Sequence, residues 1–518
     1  MRLTFGRILA VAVAAGVHAH SVAAPGSGQA RGWLQVLALA WLAALLLRQT
    51  RQAPTRREAW VQAGMTGWWF ATVWLGAAFW WLHVSMHRFG GMPSWLAALA
   101  VLLLAAALAF YYAAAAAIWA GLSWRVLDGG RATSASASAL LFGACWTLAE
   151  LMRGRWFTGF PWAAAGYAHV DGWLAIWAPW IGVYGIGAIA AVLAMLIARR
   201  ASRLQALPPL GGVLLLTGAL ALWSPAWTQA TGQQSVELLQ ANIAQDEKFD
   251  PTHGVREALR WYDERLRASQ QALVVAPETA IPVVPQQLPA DYWQTLSGHF
   301  ATQTRSLALV GLPWRDEAHR YSNAVLALGP AGQQTYRYDK HHLVPFGEFI
   351  PAGFAWFVRL MQIPLGDFRS GEANQPSLSW AGQRLAPNIC YEDVFGEELG
   401  RRFERPELAP TVFVNVSNIA WFGDTVAVPQ HLNIARMRAL EFERPMLRAT
   451  NTGATAIIDH HGRVKDQLPA FARGTLVGQY EGRQGLTPYA RWVSAWGLGP
   501  LWALSAGLLL VALVRRRF

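Results

Sequence analysis

The sequence predicts a polytopic α-helical membrane protein with a layered α/β domain inserted before its last membrane span. Two observations predict this fold class. Hydrophobic residues make up 54% of the 518 residues and charged residues only 14%, whereas a soluble domain has about 25% charged residues. The charges are also uneven, because residues 1–225 contain 15 Arg, no Lys and four acids, and residues 491–518 contain four Arg and no acid. The segment between them is nearly neutral, as expected for a globular insert.

The composition excludes several other classes. The net charge is +12, with 28 Trp and two cysteines, which excludes a disordered chain, a disulfide scaffold and a Lys-rich nucleic-acid-binding protein. Cys145 lies in a predicted span and Cys390 in the insert, so we expect no disulfide between them. Cys145 is expected to be a small buried apolar residue.

Eight segments are apolar enough to cross a bilayer, which requires about 20 mostly apolar residues. The first is the weakest, because His18 and His20 interrupt its end. Its short basic start is also typical of a signal peptide, but we see no convincing cleavage site and interpret it as a span. The predicted spans are 6–24, 32–47, 64–85, 95–122, 138–152, 173–198, 208–226 and 492–514.

Arginine placement predicts the orientation of these spans. If the N-terminus is cytoplasmic, the inside segments carry 14 Arg and the outside loops carry four, which is the bias that the positive-inside rule describes. The insert follows the seventh span and therefore faces outward. In a Gram-negative bacterium this places it in the periplasm.

Residues 233–484 change to short β-rich runs that alternate with amphipathic helices. Several of the runs are continuously apolar, as expected for strands covered on both faces. The predicted strands are 235–243, 272–277, 306–313, 321–328, 334–339, 384–390, 411–417 and 447–458, and the predicted helices are 252–269, 289–304, 394–404 and 430–443.

Three predicted strands end at residues that could perform acyl chemistry. The run ALVVAPETAIP leads to Glu278, YDKHHLVPFGEF carries Lys340 and Glu348, and RLAPNICYEDVF carries Cys390. A cysteine must become a thiolate before it attacks a carbonyl. A nearby carboxylate could take its proton, and a lysine together with the Tyr391 backbone N–H could stabilise the oxyanion.

Each of these residues also has an ordinary structural interpretation. Glu278 is compatible with a solvated turn, Lys340 with a surface charge and Cys390 with core packing. Spacing alone therefore leaves the catalytic interpretation open.

The motifs around these residues resemble those of the nitrilase (carbon–nitrogen hydrolase) superfamily. Together with the flanking spans, the whole chain resembles the bacterial apolipoprotein N-acyltransferase family. The resemblance implies that the insert is an αββα sandwich. The motifs that carry it are QANI (240–243), PETAIP (277–282), YDKHHLVPFGEFIP (338–351), NICYEDVF (388–395), AWFGD (420–424), PQHLNIARMRALE (429–441) and RATNTGAT (448–455).

The resemblance also implies a role for each residue that matches a family motif. Cys390 matches the nucleophile, Glu278 the general base and Lys340 the oxyanion lysine. Supporting roles are implied for Glu348, Tyr391 and Glu392.

The sequence departs from the family pattern at three positions. The family usually has Trp where this chain has Phe249, Asp where it has Ile419 and Gly where it has Glu443. Phe249 preserves an aromatic side chain at this position, but it cannot perform a function that requires the indole ring of Trp. The other two departures are expected to affect loop packing rather than chemistry.

The family's reaction moves a fatty acyl chain from a phospholipid, through a cysteine thioester, to the α-amine of an N-terminal diacylglyceryl-cysteine on an apolipoprotein. The resemblance therefore implies phosphatidylethanolamine as donor, an apolipoprotein as acceptor and a multi-pass inner-membrane location. It implies no cofactor, metal or nucleic acid. Nothing in the sequence requires more than a monomer, which we expect. The expected boundaries are 1–230 for the membrane bundle, 231–486 for the catalytic domain and 487–518 for the last helix with its basic tail.

The stretch 349–364 is unusually apolar for a globular domain, and we interpret it as an arm that dips into the membrane interface. A core helix is the alternative interpretation. The aromatic residues expected to line the substrate path or the arm are Phe249, Phe354, Trp356, Phe357 and Trp421.

Three alternatives remain open. His341, His342 and His431 could form a Cys–His or metal site, but no ligand spacing recurs and His431 is expected to cap or pack a helix. A membrane-tethered amidase would use the same triad with water as acceptor. A transporter with an inactive outer domain is disfavoured, because the spans contain few ionisable residues besides His83 and Glu150.

Overall fold

The computed structural model describes residues 5–124, 135–200, 207–223, 225–333, 335–351, 353 and 368–514. The chain forms two compact units. The helical unit comprises Met1–His83, Ser94–Pro225 and Trp496–Phe518, and the sandwich unit comprises Val84–Pro93 and Ala226–Ala495.

Among the residues that the structure describes, four helices are long and apolar enough to cross a membrane, namely Gly32–Gln52, Ser94–Ser123, Ala135–Thr158 and Trp173–Arg199. A fifth span results if the broken pair Pro488–Trp496 and Gly499–Val514 counts as one. The helices of the described chain from its start to residue 223 are Phe5–Ser21, Gly32–Gln52, Arg56–Phe79, Leu82–Val84, Ser85–Phe89 (a π-helix), Ser94–Ser123, Ala135–Arg155, Ala178–Arg200 and Leu207–Trp223, with short 3₁₀ turns at Trp156–Thr158, Ala165–His169 and Trp173–Trp177.

The predicted span over 492–514 contains a break, because two helices, Pro488–Trp496 and Gly499–Val514, are present instead of one continuous helix. The helix Pro488–Trp496 ends before Gly497, whose φ of +55° is a left-handed conformation that favours glycine. Helical structure resumes at Gly499, and Pro500 fits there because the first turn of a helix needs no backbone N–H at that position.

Aromatic rings fill the core of the helical unit. The ring of Trp74 stacks on Trp146 at 5.8 Å and meets Tyr112 edge-on at 5.0 Å. Cys145 is buried beside this cluster and lines a small apolar cavity together with Leu42 and Phe142.

The described residues of the sandwich unit form two six-stranded sheets. The first has the order β12-β1-β2-β3-β4-β5 and the second β11-β10-β9-β8-β7-β6. The central strands β1–β3 and β7–β9 run parallel, and the outer strands pair antiparallel. The strands are β1 Thr228–Gln240, β2 Leu273–Val275, β3 Leu307–Arg315, β4 Tyr321–Leu328, β5 Arg337–Asp339, β6 Leu378–Trp380, β7 Gln383–Ile389, β8 Val412–Ser417, β9 Met446–Thr450, β10 Ala456–Ile458, β11 Val464–Gln467 and β12 Gly474–Gly485.

Alternating side chains divide the sandwich unit into layers. Along β1, Leu238 packs in the core between the two sheets and Leu239 packs on the outer face, because successive strand residues point to opposite sides. Helices Gly254–Ala268 and Tyr292–Thr302 cover that outer face, and Ala427–Phe442 contacts β9 of the second sheet. The remaining helical elements of this unit are Pro285–Gln287, Cys390–Val394, Gly396–Gly400, Arg401–Phe403, Ile419–Phe422 and Pro488–Trp496.

Several strand predictions need correction. The run 447–458 is two strands, because the chain turns at Asn451–Gly453 between β9 and β10. The first strand begins at Thr228 rather than at residue 235. β6, β11 and β12 were not predicted, since β6 and β11 are short and β12 is polar, glycine-rich and partly exposed.

Candidate active site

Glu278 lies three residues beyond β2 in a turn that packs directly on β3. The Ile281 backbone N–H donates to the carbonyl of Gly311 at 3.2 Å. A side chain at Gly311 would place its Cβ 2.3 Å from the carbonyl oxygen of Pro277, so glycine allows this close approach. The turn therefore holds Glu278 in a buried position, 7% exposed.

Three donors converge on the Glu278 carboxylate. Asn323 Nδ2 donates to Oε1 at 2.7 Å, and Lys340 Nζ lies 3.3 Å from the same oxygen. The Asn418 backbone N–H donates to Oε2 at 2.8 Å. Both oxygens of the carboxylate are thus occupied by groups that favour its charged form.

Lys340 follows β5 and is 1% exposed. Its backbone N–H donates to the Asn323 carbonyl at 2.8 Å. Its Nζ donates to Glu348 Oε1 at 2.9 Å as well as contacting Glu278. One buried ammonium therefore serves two buried carboxylates.

Asn323 links these carboxylates and was not identified from the sequence. Its Nδ2 donates to Glu278 Oε1 and, at 2.8 Å, to Glu348 Oε1. It lies on β4, where its buried amide directly precedes the apolar run AVLAL. A polar residue at the head of an apolar strand was the available signal, since a buried polar residue in a strand requires a partner.

Cys390 is the first residue after β7 and has a φ of +53°. A non-glycine residue in this left-handed region is uncommon, and such strain is concentrated at functional sites. The side chain is partly buried. The chain turns sharply at this residue from a buried strand into a short 3₁₀ turn.

Glu392 connects the Cys390 turn to the Lys340 loop. Its carboxylate accepts from the backbone N–H of Ile389 and from that of His341, each at 2.6 Å, and from the Tyr338 hydroxyl at 2.8 Å. Burial raises the pKa of Glu392 although these donors act in the opposite direction. The carboxylate acts here as a brace between two loops.

A second buried cluster lies behind Cys390. Asn415 Nδ2 donates to the Cys390 carbonyl at 3.2 Å, and Arg448 donates to Asn415 Oδ1 at 3.0 Å and to Asp393 Oδ2 at 3.1 Å. Arg448 Nη2 lies 2.7 Å from His431 Nδ1, so that nitrogen must accept. Burial and Arg448 both lower the pKa of His431, which is therefore neutral and donates from Nε2 to Asp393 at 2.9 Å.

The surroundings set the resting charges of the site. Burial alone would raise the pKa of Glu278, but Lys340, Asn323 and other donors outweigh it and leave the pKa below 4.5. Burial opposes the charge on Lys340, but Glu278 and Glu348 raise its pKa. Burial and the Glu278 charge raise the pKa of Cys390 to about 12. The site rests as a carboxylate, an ammonium and a neutral thiol, so a base is required to form the thiolate.

The remaining aromatic candidates lie outside this hydrogen-bonded group. Phe249 is 51% exposed, and Trp421 is 39% exposed with its ring edge-on to Phe89 at 5.7 Å. The Tyr391 ring packs against Phe395 at 5.1 Å. Phe354, Trp356 and Phe357, together with most of the proposed arm, lie outside the described residues.

The neighbouring histidines have ordinary partners. His341 Nδ1 lies 2.9 Å from the Gly371 carbonyl, and His342 Nδ1 lies 3.1 Å from Glu398. In the part of the chain that the structure describes, no three His, Cys, Asp or Glu side chains are grouped as they would be around a metal ion.

Two departures from the family pattern have a clear structural setting. Ile419 is buried, and its Cγ2 would lie 2.5 Å from a Cβ added at Gly453. Glu443 ends the helix Ala427–Phe442 with a φ of +45°, a left-handed position where glycine is preferred. Its carboxylate accepts from the Thr228 hydroxyl at 2.8 Å.

Comparison with known proteins identifies the family. Residues 22–196 match the apolipoprotein N-acyltransferase N-terminal domain, and residues 235–485 match carbon–nitrogen hydrolase. The chain is 54% identical to apolipoprotein N-acyltransferase of Verminephrobacter eiseniae over 510 residues, covering 94% of this chain and 92% of the relative. The chain belongs to the apolipoprotein N-acyltransferase family. The corresponding family member of Ralstonia nicotianae is 49% identical over 490 residues, covering 94% and 90% of the two chains.

Solved structures similar to this member of the apolipoprotein N-acyltransferase family include a member of branch 10 of the nitrilase superfamily, Nit3 of Saccharomyces cerevisiae. It is 14% identical with a TM-score of 0.36, and the match covers 50% of this chain and 92% of Nit3.

Proposed function

We propose that this chain transfers a fatty acyl group from a phospholipid, through a thioester on Cys390, to the α-amine of the N-terminal diacylglyceryl-cysteine of an apolipoprotein. The observation that carries the proposal is the buried ion-pair group of Glu278, Lys340 and Glu348, whose charges act on the Cys390 thiol. Family membership supports the lipoprotein acceptor.

The first half of the reaction forms the thioester. Glu278 takes the proton from Cys390 Sγ, and the thiolate attacks the ester carbonyl carbon of the phospholipid. The bond from that carbon to the glycerol oxygen breaks when the tetrahedral intermediate collapses. Glu278 returns its proton to the leaving oxygen, which gives a lysophospholipid and an acylated Cys390.

The second half passes the acyl group to the acceptor. The neutral α-amine attacks the thioester carbonyl carbon, and Glu278 takes one proton from the amine nitrogen. The carbon–sulfur bond breaks and the proton returns to Cys390 Sγ. The products are an N-acylated lipoprotein and the starting enzyme, so one carboxylate serves both halves in turn.

Stabilisation of the tetrahedral oxyanion is assigned to Lys340 and to the backbone N–H of Tyr391. Glu348 and Glu392 have supporting roles, since Glu348 accepts from Lys340 at 2.9 Å and Glu392 joins the loops that carry Lys340 and Cys390. Preorganised donors of this kind stabilise charge most effectively where water is excluded.

The proposed setting is the bacterial inner membrane, crossed by eight spans, with the catalytic domain in the periplasm. The four long apolar helices support a membrane location, and the shorter apolar helices Ile8–Ser21 and Leu207–Trp223 support additional spans. The proposed domains are 1–230, 231–486 and 487–518. We expect a monomer that needs no cofactor.

The proposed donor is phosphatidylethanolamine, and we assign its binding to the exposed aromatic side chains that line the substrate path. Phe249 and Trp421 support this assignment because large apolar side chains are exposed there. The arm residues Phe354, Trp356 and Phe357 are assigned to the same path. If serine at these three arm positions left lipid turnover unchanged, the arm would have no role in binding the donor.

The deciding experiment measures the intact mass of the purified protein after incubation with phosphatidylethanolamine. We expect a hydroxylamine-sensitive acyl adduct on the wild type and on Cys145→Ala, and none on Cys390→Ser. Addition of a diacylated lipopeptide should discharge the adduct into a triacylated product. Release of free fatty acid with no lipopeptide product would instead identify a hydrolase, and an untouched phospholipid would contradict both functions.

A further inference from the structure

Lys248 is a buried lysine that the proposed reaction does not use. It lies in the turn after β1, where its backbone N–H donates to the Ala244 carbonyl at 2.9 Å. Its side chain is directed inward, with the residue 2% exposed, and Nζ donates to the main-chain carbonyl of Glu278 at 3.1 Å. A second ammonium therefore contacts the residue assigned as general base.

The turn that carries Lys248 is fixed from both sides. Gln245 Oε1 accepts from Asn418 Nδ2 at 2.7 Å, and the Asn418 main chain in turn donates to Glu278. On the other side, a Cβ at Gly254 would lie 1.8 Å from the Glu247 carbonyl oxygen. The position of the Lys248 ammonium is therefore built into the fold.

The charges around Glu278 show what this ammonium does. Glu278 and Glu348 are both buried carboxylates, and Lys340 contacts both, at 3.3 and 2.9 Å. With Lys340 alone, this group would carry one excess negative charge. Lys248 brings it to neutrality.

The other buried charges nearby are already compensated by their own partners. Glu392 accepts from backbone and hydroxyl donors, and Asp393 pairs with Arg448 at 3.1 Å. An excess negative charge would disfavour both the Cys390 thiolate and the tetrahedral oxyanion, because like charges in a buried site raise each other's energy.

We propose that Lys248 is a positioning residue for acyl transfer: it holds the main chain of Glu278 and supplies the second positive charge that leaves Lys340 able to stabilise the oxyanion. This role rests on the proposed function of Cys390 and Glu278.

The titration of Lys248 provides a readout that a purely structural residue would not show. Burial lowers its pKa to about 8, while the Glu278 carboxylate and, when it is ionised, Cys390 oppose the shift. Those two groups act on the charge of Lys248, and Lys340 contacts both Glu278 and Glu348. A lysine loses its charge as pH rises, so the second positive charge is present at neutral pH and is lost above about pH 8.

The test compares single-turnover thioester formation from phosphatidylethanolamine in Lys248→Met, Lys248→Arg and Lys465→Met. Lys465 is an exposed lysine on β11 and is the matched control. We expect at least a thirtyfold slower rate with Lys248→Met, a rate within about fivefold of wild type with Lys248→Arg because guanidinium keeps its charge, and no change with Lys465→Met.

The pH profile separates charge from structure. The wild-type rate should fall above about pH 8, where Lys248 loses its charge, whereas the rate of Lys248→Arg should stay level because its guanidinium remains charged. Equal rates for Lys248→Met and Lys465→Met, or matching profiles for the wild type and Lys248→Arg, would overturn the role of Lys248. If Lys248→Met fails to fold, the Lys248→Arg profile still decides the question. A wild type that forms no adduct would instead overturn the proposed function itself.

Discussion

The two cysteines of this chain occupy two very different buried sites. Cys145 lies inside the helix Ala135–Arg155, beside Trp146 and a small apolar cavity. Cys390 lies at the end of a parallel strand, in a left-handed turn, and the charges of Glu278 and Lys340 act on its thiol. A cysteine side chain therefore packs in an apolar core in the helical unit and is a candidate nucleophile in the sandwich unit.

The difference shows that burial alone does not make a thiol reactive. Burial raises the pKa of Cys390 to about 12, which by itself would make it inert. What distinguishes its site is a carboxylate whose own pKa is kept low by several donors. Reactivity would come from a base next to the thiol rather than from a thiol that ionises without help.

The largest effect is expected from Glu278→Gln, which tests whether a carboxylate distinguishes the two cysteines. The substitution removes the base and leaves Cys390, like Cys145, without one. We expect thioester formation to fall about 10²–10⁴-fold, the usual contribution of general base catalysis. Single-turnover rates by intact mass are the measurement. A matched change at the exposed Glu407 should have no effect, and an unchanged rate in Glu278→Gln would remove Glu278 from the mechanism.

Asn323→Ala tests the hydrogen-bond donors that surround Glu278 rather than Glu278 itself. Loss of the amide that serves both Glu278 and Glu348 should slow thioester formation about 10–100-fold, since a hydrogen bond to a charged group contributes about 1.5–3 kcal/mol. It should also raise the pKa of Glu278. Because Glu278 acts as a carboxylate, activity is lost as pH falls through that pKa, so the acidic limb of the rate profile should move to higher pH. A slower rate with an unmoved limb would contradict this explanation.

Cys145→Ala tests the other member of the pair. Removal of one buried sulfur should lower the free energy of unfolding by about 1 kcal/mol through lost packing. The rate of thioester formation should not change. Thermal unfolding in detergent and the adduct assay measure the two effects, and a large loss of activity would give Cys145 a role that its apolar surroundings do not suggest.

The smallest effect is expected from Glu443→Gly. Cys390 and Glu443 both have positive φ, but Glu443 ends a helix, where the strain has no chemical purpose. Glycine would relieve that backbone strain, which stabilises the fold. It would also remove the hydrogen bond from Thr228 and increase the conformational entropy of the unfolded chain, and both of these changes destabilise the fold. These terms nearly cancel, so stability should change by no more than about 1 kcal/mol. A large loss of activity would show that this helix end supports catalysis.

Sequence patterns predicted the central strands well, because apolar runs such as that of β8 are buried on both faces. They did not predict β12, whose polar and glycine-rich sequence forms a strand only by pairing with β1. The family resemblance was confirmed by the comparisons. Pairing between segments about 250 residues apart leaves no periodic signal in either segment.

The residues of the candidate site likewise divide into those that the sequence indicates and those that only the folded structure reveals. Glu278, Lys340 and Cys390 were candidates because each follows an apolar run, and their proposed roles came from the family resemblance. Asn323 and Lys248 were not, because their importance depends on which buried carboxylate they meet, and that contact is set by the folded sheet. The left-handed backbone of Cys390 was also invisible to residue patterns.

The pairing of β1 with β12 has a consequence for how this chain is organised. Thr228 lies opposite Gly485, so the segment 228–485 begins and ends on paired neighbours, about 5 Å apart. This segment is more than 250 residues long, but it connects the helices before and after it as a short loop would. Closing that connection therefore costs little loop-closure entropy.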